Sequence, residues 1–345
     1  MPILSRSQDG DKSRGGDKNR GGDKNRGQDW GSPRPYRPVF LEATLRERQE
    51  VEALGAGALA GGYGEAQGRA RNALFTTCAN PGCGTGWLHL WRSRQAPVFE
   101  GGWSCSFACT AARVAAAVRR ELDGRGLAAE SHQHRIPLGL VMLEQGWITS
   151  GQLRQALDAQ RVAKAGRLGQ WLVRQHAVSE QLVTRALGLQ WSCPVLPLEF
   201  HDAEAFTVLV PRLFVDAFGA LPLRMAAGQI LYLGFADRLD PIVALAVERM
   251  SGLRVESGLV QESLFGAAHA RMLSAKFPAA ELVEAVSEQA AARVLSKSIE
   301  QARPVESRLV RVHDCLWLRM WRRLQSGPMP EHGSIQDLIC SVGTH

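Results

Sequence analysis

The chain has 345 residues, 45% of them hydrophobic, which is enough for two or three modest domains with cores of their own. Its formal net charge is +7, carried mainly by arginine; such a balance permits weak affinity for nucleic acid or anionic surfaces without deciding a fold. No apolar run approaches the roughly 18–20 residues of a spanning helix, and the start, Met1-Pro2-Ile3-Leu4-Ser5-Arg6, lacks the apolar stretch of a secretory signal, so no membrane span and a cytoplasmic location are expected.

Residues 1–38 read as a disordered low-complexity tail. Gly10-Asp11-Lys12-Ser13-Arg14-Gly15 is followed by two copies of Gly-Asp-Lys-Asn-Arg-Gly, and no apolar group interrupts the array to offset its ordering entropy. Residues 39–72 read as a charged helix carrying Leu41, Leu45, Val51 and Leu54, followed by a glycine- and alanine-rich linker.

Residues 73–125 hold four of the seven cysteines. An odd number of cysteines without an export signal argues for metal ligation or buried thiols rather than a disulfide framework. Cys78 and Cys83 flank Pro81-Gly82, and Cys105 and Cys109 lie just before the helix-forming run Ala111-Ala112-Arg113-Val114. Two such knuckles suit a closed, tetrahedral structural zinc site, with a helix N-terminus nearby to favour thiolates. Trp87, Trp91, Phe99 and Trp103 are candidates for a small core, and His89 is not needed as a ligand. The plain alternative is four small buried hydrophobes.

Residues 133–193 contain an internal repeat with an offset of 30. Leu138 matches Leu168, Gly139 matches Gly169, Met142 matches Leu172 and Leu143 matches Val173. Ile148 matches Val178, Thr149 matches Ser179, and Ala156 matches Ala186. Each copy reads as two short helices. In the first, Gly146 stops one helix, Thr149 caps the next with Gln152 completing a capping box, and Leu153 and Leu157 supply the buried stripe. One hairpin cannot bury its own apolar face, so the two copies are expected to pack together.

Residues 194–275 read as a small α/β subdomain. Ala220–Met225 and Ile230–Phe235 are strands joined at Ala227-Gly228; Asp240-Pro241 opens a helix ending near Gly252; Leu253-Arg254-Val255 is a third strand; and Glu262–Met272 is a helix. Residues 276–345 read as a helical C-terminal segment, with Val310–Trp321 apolar almost all round. The expected fold class is therefore α+β.

The run Arg-Leu-Gly, two aliphatics, a glycine, a Ser/Thr cap and Leu…Leu…Gln, present twice, resembles the N-terminal domain of type II secretion and type IV pilus assembly ATPases (the GspE/MshE group) over about residues 133–275. The resemblance implies that the duplicated motif can bind cyclic di-GMP. By position the ligand groups would be Arg135, Leu138, Gly139, Met142, Leu143 and Gly146, with Arg167, Leu168, Gly169, Leu172 and Val173. Arginine would pair with phosphate or stack on guanine. Pro137 stands where the first copy's arginine belongs, and His176 where the second copy's glycine belongs. The alternative is that these leucines and glycines simply build a helical core.

The family's motor is not expected here. A Walker A loop needs glycine directly before lysine, none of Lys12, Lys18, Lys24, Lys164, Lys276 and Lys297 meets that condition, and little chain follows residue 275. The histidines are scattered, without a nucleophile or paired carboxylates. The reading is a non-catalytic regulatory or adaptor protein acting with a secretion or pilus machinery partner. The competing one is a zinc-containing nucleic-acid-binding regulator, although Arg154, Arg161 and Arg185 do not cluster on one recognition helix.

Overall fold

The computed structural model describes residues 78–84, 97–123, 135–198, 202–325, 327 and 329–343. All fall within the unit Gly61–His345; the unit Met1–Ala60 lies outside the described residues, as do the expected tail, the 39–72 helix and linker, Trp87, His89 and Trp91.

The first elements are a short antiparallel hairpin, β1 (Val98–Phe99) and β2 (Gly102–Trp103), and the helix α1 (Phe107–Asp123). Four helices follow: α2 (Leu138–Glu144), α3 (Ser150–Ala163), α4 (Leu168–Arg174) and α5 (Glu180–Trp191). They are the two expected hairpins, and they share one interior. Met142, Ile148 and Ala156 are buried beside their counterparts Leu172, Val178 and Ala186. The capping box forms as read, the Thr149 hydroxyl accepting from the Gln152 amide while the Gln152 side chain accepts from the Thr149 amide.

The α/β subdomain contains α6 (Ala203–Phe206), α7 (Arg212–Phe218), β3 (Leu221–Ala226), β4 (Ile230–Phe235), α8 (Pro241–Ser251), β5 (Arg254–Leu259) and α9 (Glu262–Ser274). Ala227 and Gly228 both take positive φ, 50° and 65°, as a tight hairpin turn demands. Asp240 caps α8 through two amides, and Gly252 ends it at φ 74°. β4 is antiparallel to β3 and parallel to β5, and Val195, just past α5, bridges Leu259 in parallel.

The C-terminal segment differs from the helical reading. Its described residues contain one α-helix, α10 (Glu288–Ala302), and a sheet of β6 (Ala280–Ala285), β7 (Glu306–Val312), β8 (Cys315–Trp321) and β9 (Ile335–Val342), ordered β6-β9-β8-β7. The cause is burial on both faces. Leu316, Leu318 and Met320 point to one core with α1 and α10. Trp317 and Trp321 alternate with them and join the core of the α/β subdomain. A strand covered on both sides shows a continuous apolar run with no alternation, and that run cannot be told from a buried helix by periodicity alone.

This sheet also organises the molecule. The hairpin borders β7, with Val98 N donating to Pro304 O at 3.1 Å and Glu100 N to Ser307 O at 2.8 Å. The four-cysteine region and residues 276–343 thus share one core.

Candidate metal centre and duplicated helical unit

The four cysteines converge from two places in the chain. The turn Cys78–Cys83 is shaped by Asn80, whose side-chain oxygen accepts from the Gly82 amide at 3.2 Å, and by Cys83 N donating to Asn80 O at 3.0 Å. Ser106 caps the start of α1 by accepting from the Cys109 amide at 3.3 Å, so Cys105 precedes the helix and Cys109 sits in its first turn. Ala79 N donates to Trp103 O at 2.8 Å and Cys105 N to Cys78 Sγ at 3.4 Å, which locks the two knuckles together.

All four sulfurs lie within 4.8 Å of one another. Cys105 Sγ is 3.6 Å from both Cys83 Sγ and Cys109 Sγ, far beyond a disulfide bond. Metal–sulfur bonds of about 2.3 Å in tetrahedral array place sulfurs about 3.8 Å apart, so the cluster fits zinc. Four thiolates close the coordination shell, which suits a structural ion. Burial pushes the Cys78 thiol up to about 11, whereas the Asn80 side chain and the Ser106 hydroxyl hold Cys109 below its ordinary value. A bound cation deprotonates such thiols outright, so metal uptake releases protons. Asn80 and Ser106 were missed in the sequence, although a serine three residues before Cys109 is a legible cap.

In the helical unit, the glycines sit where the two copies touch. A Cβ on Gly139 would stand 2.8 Å from Leu153 Cδ1 and 3.3 Å from Leu168 Cδ2. On Gly169 it would stand 2.6 Å from Val183 Cγ1 and 3.7 Å from Leu138 Cδ2. Leu153 and Val183 are repeat equivalents, as are Leu138 and Leu168, so the contacts exchange under the duplication. Gly139, Gly169, Met142 and Leu172 are buried, and Leu138, Leu143, Leu168 and Val173 are partly buried against the same core. Gly146, Arg135 and Arg167 are exposed. Gly146 and His176 make the same turn, with φ 67° and 54°, and Trp147 N to Met142 O matches Ala177 N to Leu172 O at 2.9 and 3.0 Å.

Neither arginine is idle. The Arg135 guanidinium lies over the Trp191 ring, 3.2 Å from its centroid. Arg167 pairs with Asp237 of the α/β subdomain at 2.6 Å. Two further ties cross the same junction: Gln170 donates to Glu262 at 2.8 Å, and Glu180 accepts from Gln261 and from the Ser263 amide in the first turn of α9. Among the described residues, no helix is long and apolar enough to cross a membrane.

A scan against protein-family models finds no match, and neither does a search of curated proteins. Solved structures do match. One is the structure of MshE with cdg, 26% identical, covering 40% of this chain and 99% of that one, with a TM-score of 0.33. The N-terminal domain of XpsE matches in two crystal forms, at 20% and 21% identity, covering 39% and 38% of this chain and 92% and 90% of theirs, with TM-scores of 0.29 and 0.24. Part of this chain is similar to these proteins.

Proposed function

We propose that the chain is a non-catalytic regulatory or adaptor protein, in which a zinc-stapled body carries a duplicated helical unit that senses a cyclic dinucleotide and engages a secretion or pilus machinery partner. The observation that carries this reading is the pair of equivalent hairpins, with the glycine of each copy packed against a leucine of the other, in the motif by which the sequence resembles the secretion and pilus ATPase domains. The charged pairs within the body support a structural role for it. Glu121 binds Arg249, Asp337 binds Arg319, and Asp240 holds both the α8 amides and His313. These groups hold elements together rather than facing a common substrate position.

The sensing step would act through Arg167. A phosphate that recruits its guanidinium must take it from Asp237, and that would loosen the helical unit from the α/β subdomain. Titration of the full chain with cyclic di-GMP tests this by calorimetry. Binding should be lost in Arg167→Ala and tightened up to about fivefold in Asp237→Ala, because an exposed ion pair is worth at most about 1 kcal/mol. No heat at high micromolar ligand removes the sensing role and leaves a scaffold.

A further inference from the structure

We infer that Arg113 is a positioning residue of the four-cysteine centre, clamping the β1–β2 hairpin to α1 and holding a cation beside the first knuckle. This rests on the zinc reading above. Four thiolates outweigh one divalent cation, so the filled site is an anion, and a part-buried anion calls for a nearby positive group.

Arg113 lies four residues past Cys109, on the same face of α1. Its Nη1 donates to Gly102 O and its Nη2 to Phe99 O, both at 2.6 Å, and its guanidinium carbon lies 5.6 Å from the Phe99 ring centroid. Gly102 leaves no spare room: a Cβ there would stand 2.7 Å from Arg113 Nη2 and 2.5 Å from Ala79 Cβ. Ala79 belongs to the first knuckle. The guanidinium therefore fixes the point at which hairpin, knuckle and helix meet, and only an arginine fork reaches both carbonyls.

The charges around it come from three elements. Burial disfavours its charge, while Glu100 of the hairpin turn, Cys78 of the first knuckle and Glu306 of β7 favour it. Glu100 is held by Arg120 at 2.6 Å, and Glu306 accepts from Gly101 N at 3.2 Å and lies 4.0 Å from Arg308.

Zinc affinity of the full-length protein, measured by competition with a chromophoric chelator across a pH series, tests the inference. Arg113→Met should weaken zinc about 10- to 100-fold, the range typical for the loss of a group that supports metal ligands. Its pH midpoint for metal release should also rise. Arg113→Lys should lose affinity too, because one ammonium cannot span both carbonyls. Gly102→Ala, which displaces the clamp without removing charge, should weaken zinc as well. If Arg113→Met does not fold, the lysine and alanine variants decide. Zinc affinity within threefold of wild type in Arg113→Met, or in both other variants, overturns the role of Arg113 alone. Wild-type protein that takes up no zinc overturns the metal reading and this inference together.

Discussion

His176 holds a left-handed backbone, φ 54°, in the turn where the first copy has Gly146. A side chain there costs roughly 1–2 kcal/mol, partly offset because glycine loses more freedom on folding. His176→Gly should therefore raise stability by about 0.5–1 kcal/mol, read as a higher urea midpoint with an unchanged slope; a lower midpoint would mean that the imidazole makes a contact worth more than the strain. Glu121 is the second residue with a clear physical role. Burial alone would raise its carboxyl, but two bonds from Arg249, the charge of Arg120 and the Arg311 amide together hold it below the ordinary carboxylate value. A folded value lower than the unfolded one contributes stability above the unfolded value and loses it as pH falls through the folded one. Wild type should thus weaken progressively below about pH 4.3, the ordinary glutamate value. Glu121→Gln should cost about 1.5–3 kcal/mol at neutral pH and show a flatter acid limb in pH-dependent unfolding; an unchanged acid limb would refute the assignment.

At the level of elements, the hairpin and α1 depend on their sulfur staple. β1 and β2 are two residues each, too short to persist without support. Their anchors are the knuckle contacts, the β7 edge and the Phe99, Val114 and Val118 side chains in the core shared with α10. A structural zinc supplies folding energy directly to such a segment. Native protein should carry about one zinc per chain, and strong chelation should lower the melting temperature and open 97–123 to protease before α2–α5. Equal melting temperatures with and without chelator would show that packing alone suffices. The helical unit should respond little, because among the described residues Met142, Leu172, Ala156 and Ala186 pack in a cluster of their own.

Across the whole molecule, the C-terminal sheet joins what the chain order separates. Its α1/α10 face packs against Phe99 of the hairpin and Val114 and Val118 of α1, and its opposite face closes the α/β core. At the centre of the second face, Arg319 and Asp337 form a two-bond pair at 2.8 Å, both almost fully buried. Trp317 Nε1 donates to the same carboxylate at 2.9 Å, and Arg319 Nη1 donates to Leu209 O at 3.2 Å, which ties the sheet to the segment before α7. Asp337→Ala should cost about 3–5 kcal/mol, because it strands a buried guanidinium. Replacing both partners together should cost less than the sum of the single changes, and strict additivity in that double-mutant cycle would contradict the pairing.

Patterns local to the chain are legible in the sequence alone. The thirty-residue offset, the Thr149–Gln152 box, the Asp240-Pro241 start, the Ala227-Gly228 turn and the two cysteine knuckles all rest on interactions within a few residues, and all appear in the fold. Long-range pairing was not legible. Val310–Trp321 carried no period to mark it as strand, since both of its faces are covered by segments far away in sequence. For the same reason the candidate ligand residues divide as they do: Gly139, Gly169, Met142 and Leu172 go to the interior, because the partner copy fills the space beside them. Arg113, Glu121 and Glu180 drew no notice as lone charges on helices. They matter only because folding brings Gly102, Arg249 and Ser263 to them, and charge placement of that kind is a property of packed surfaces rather than of neighbours along the chain.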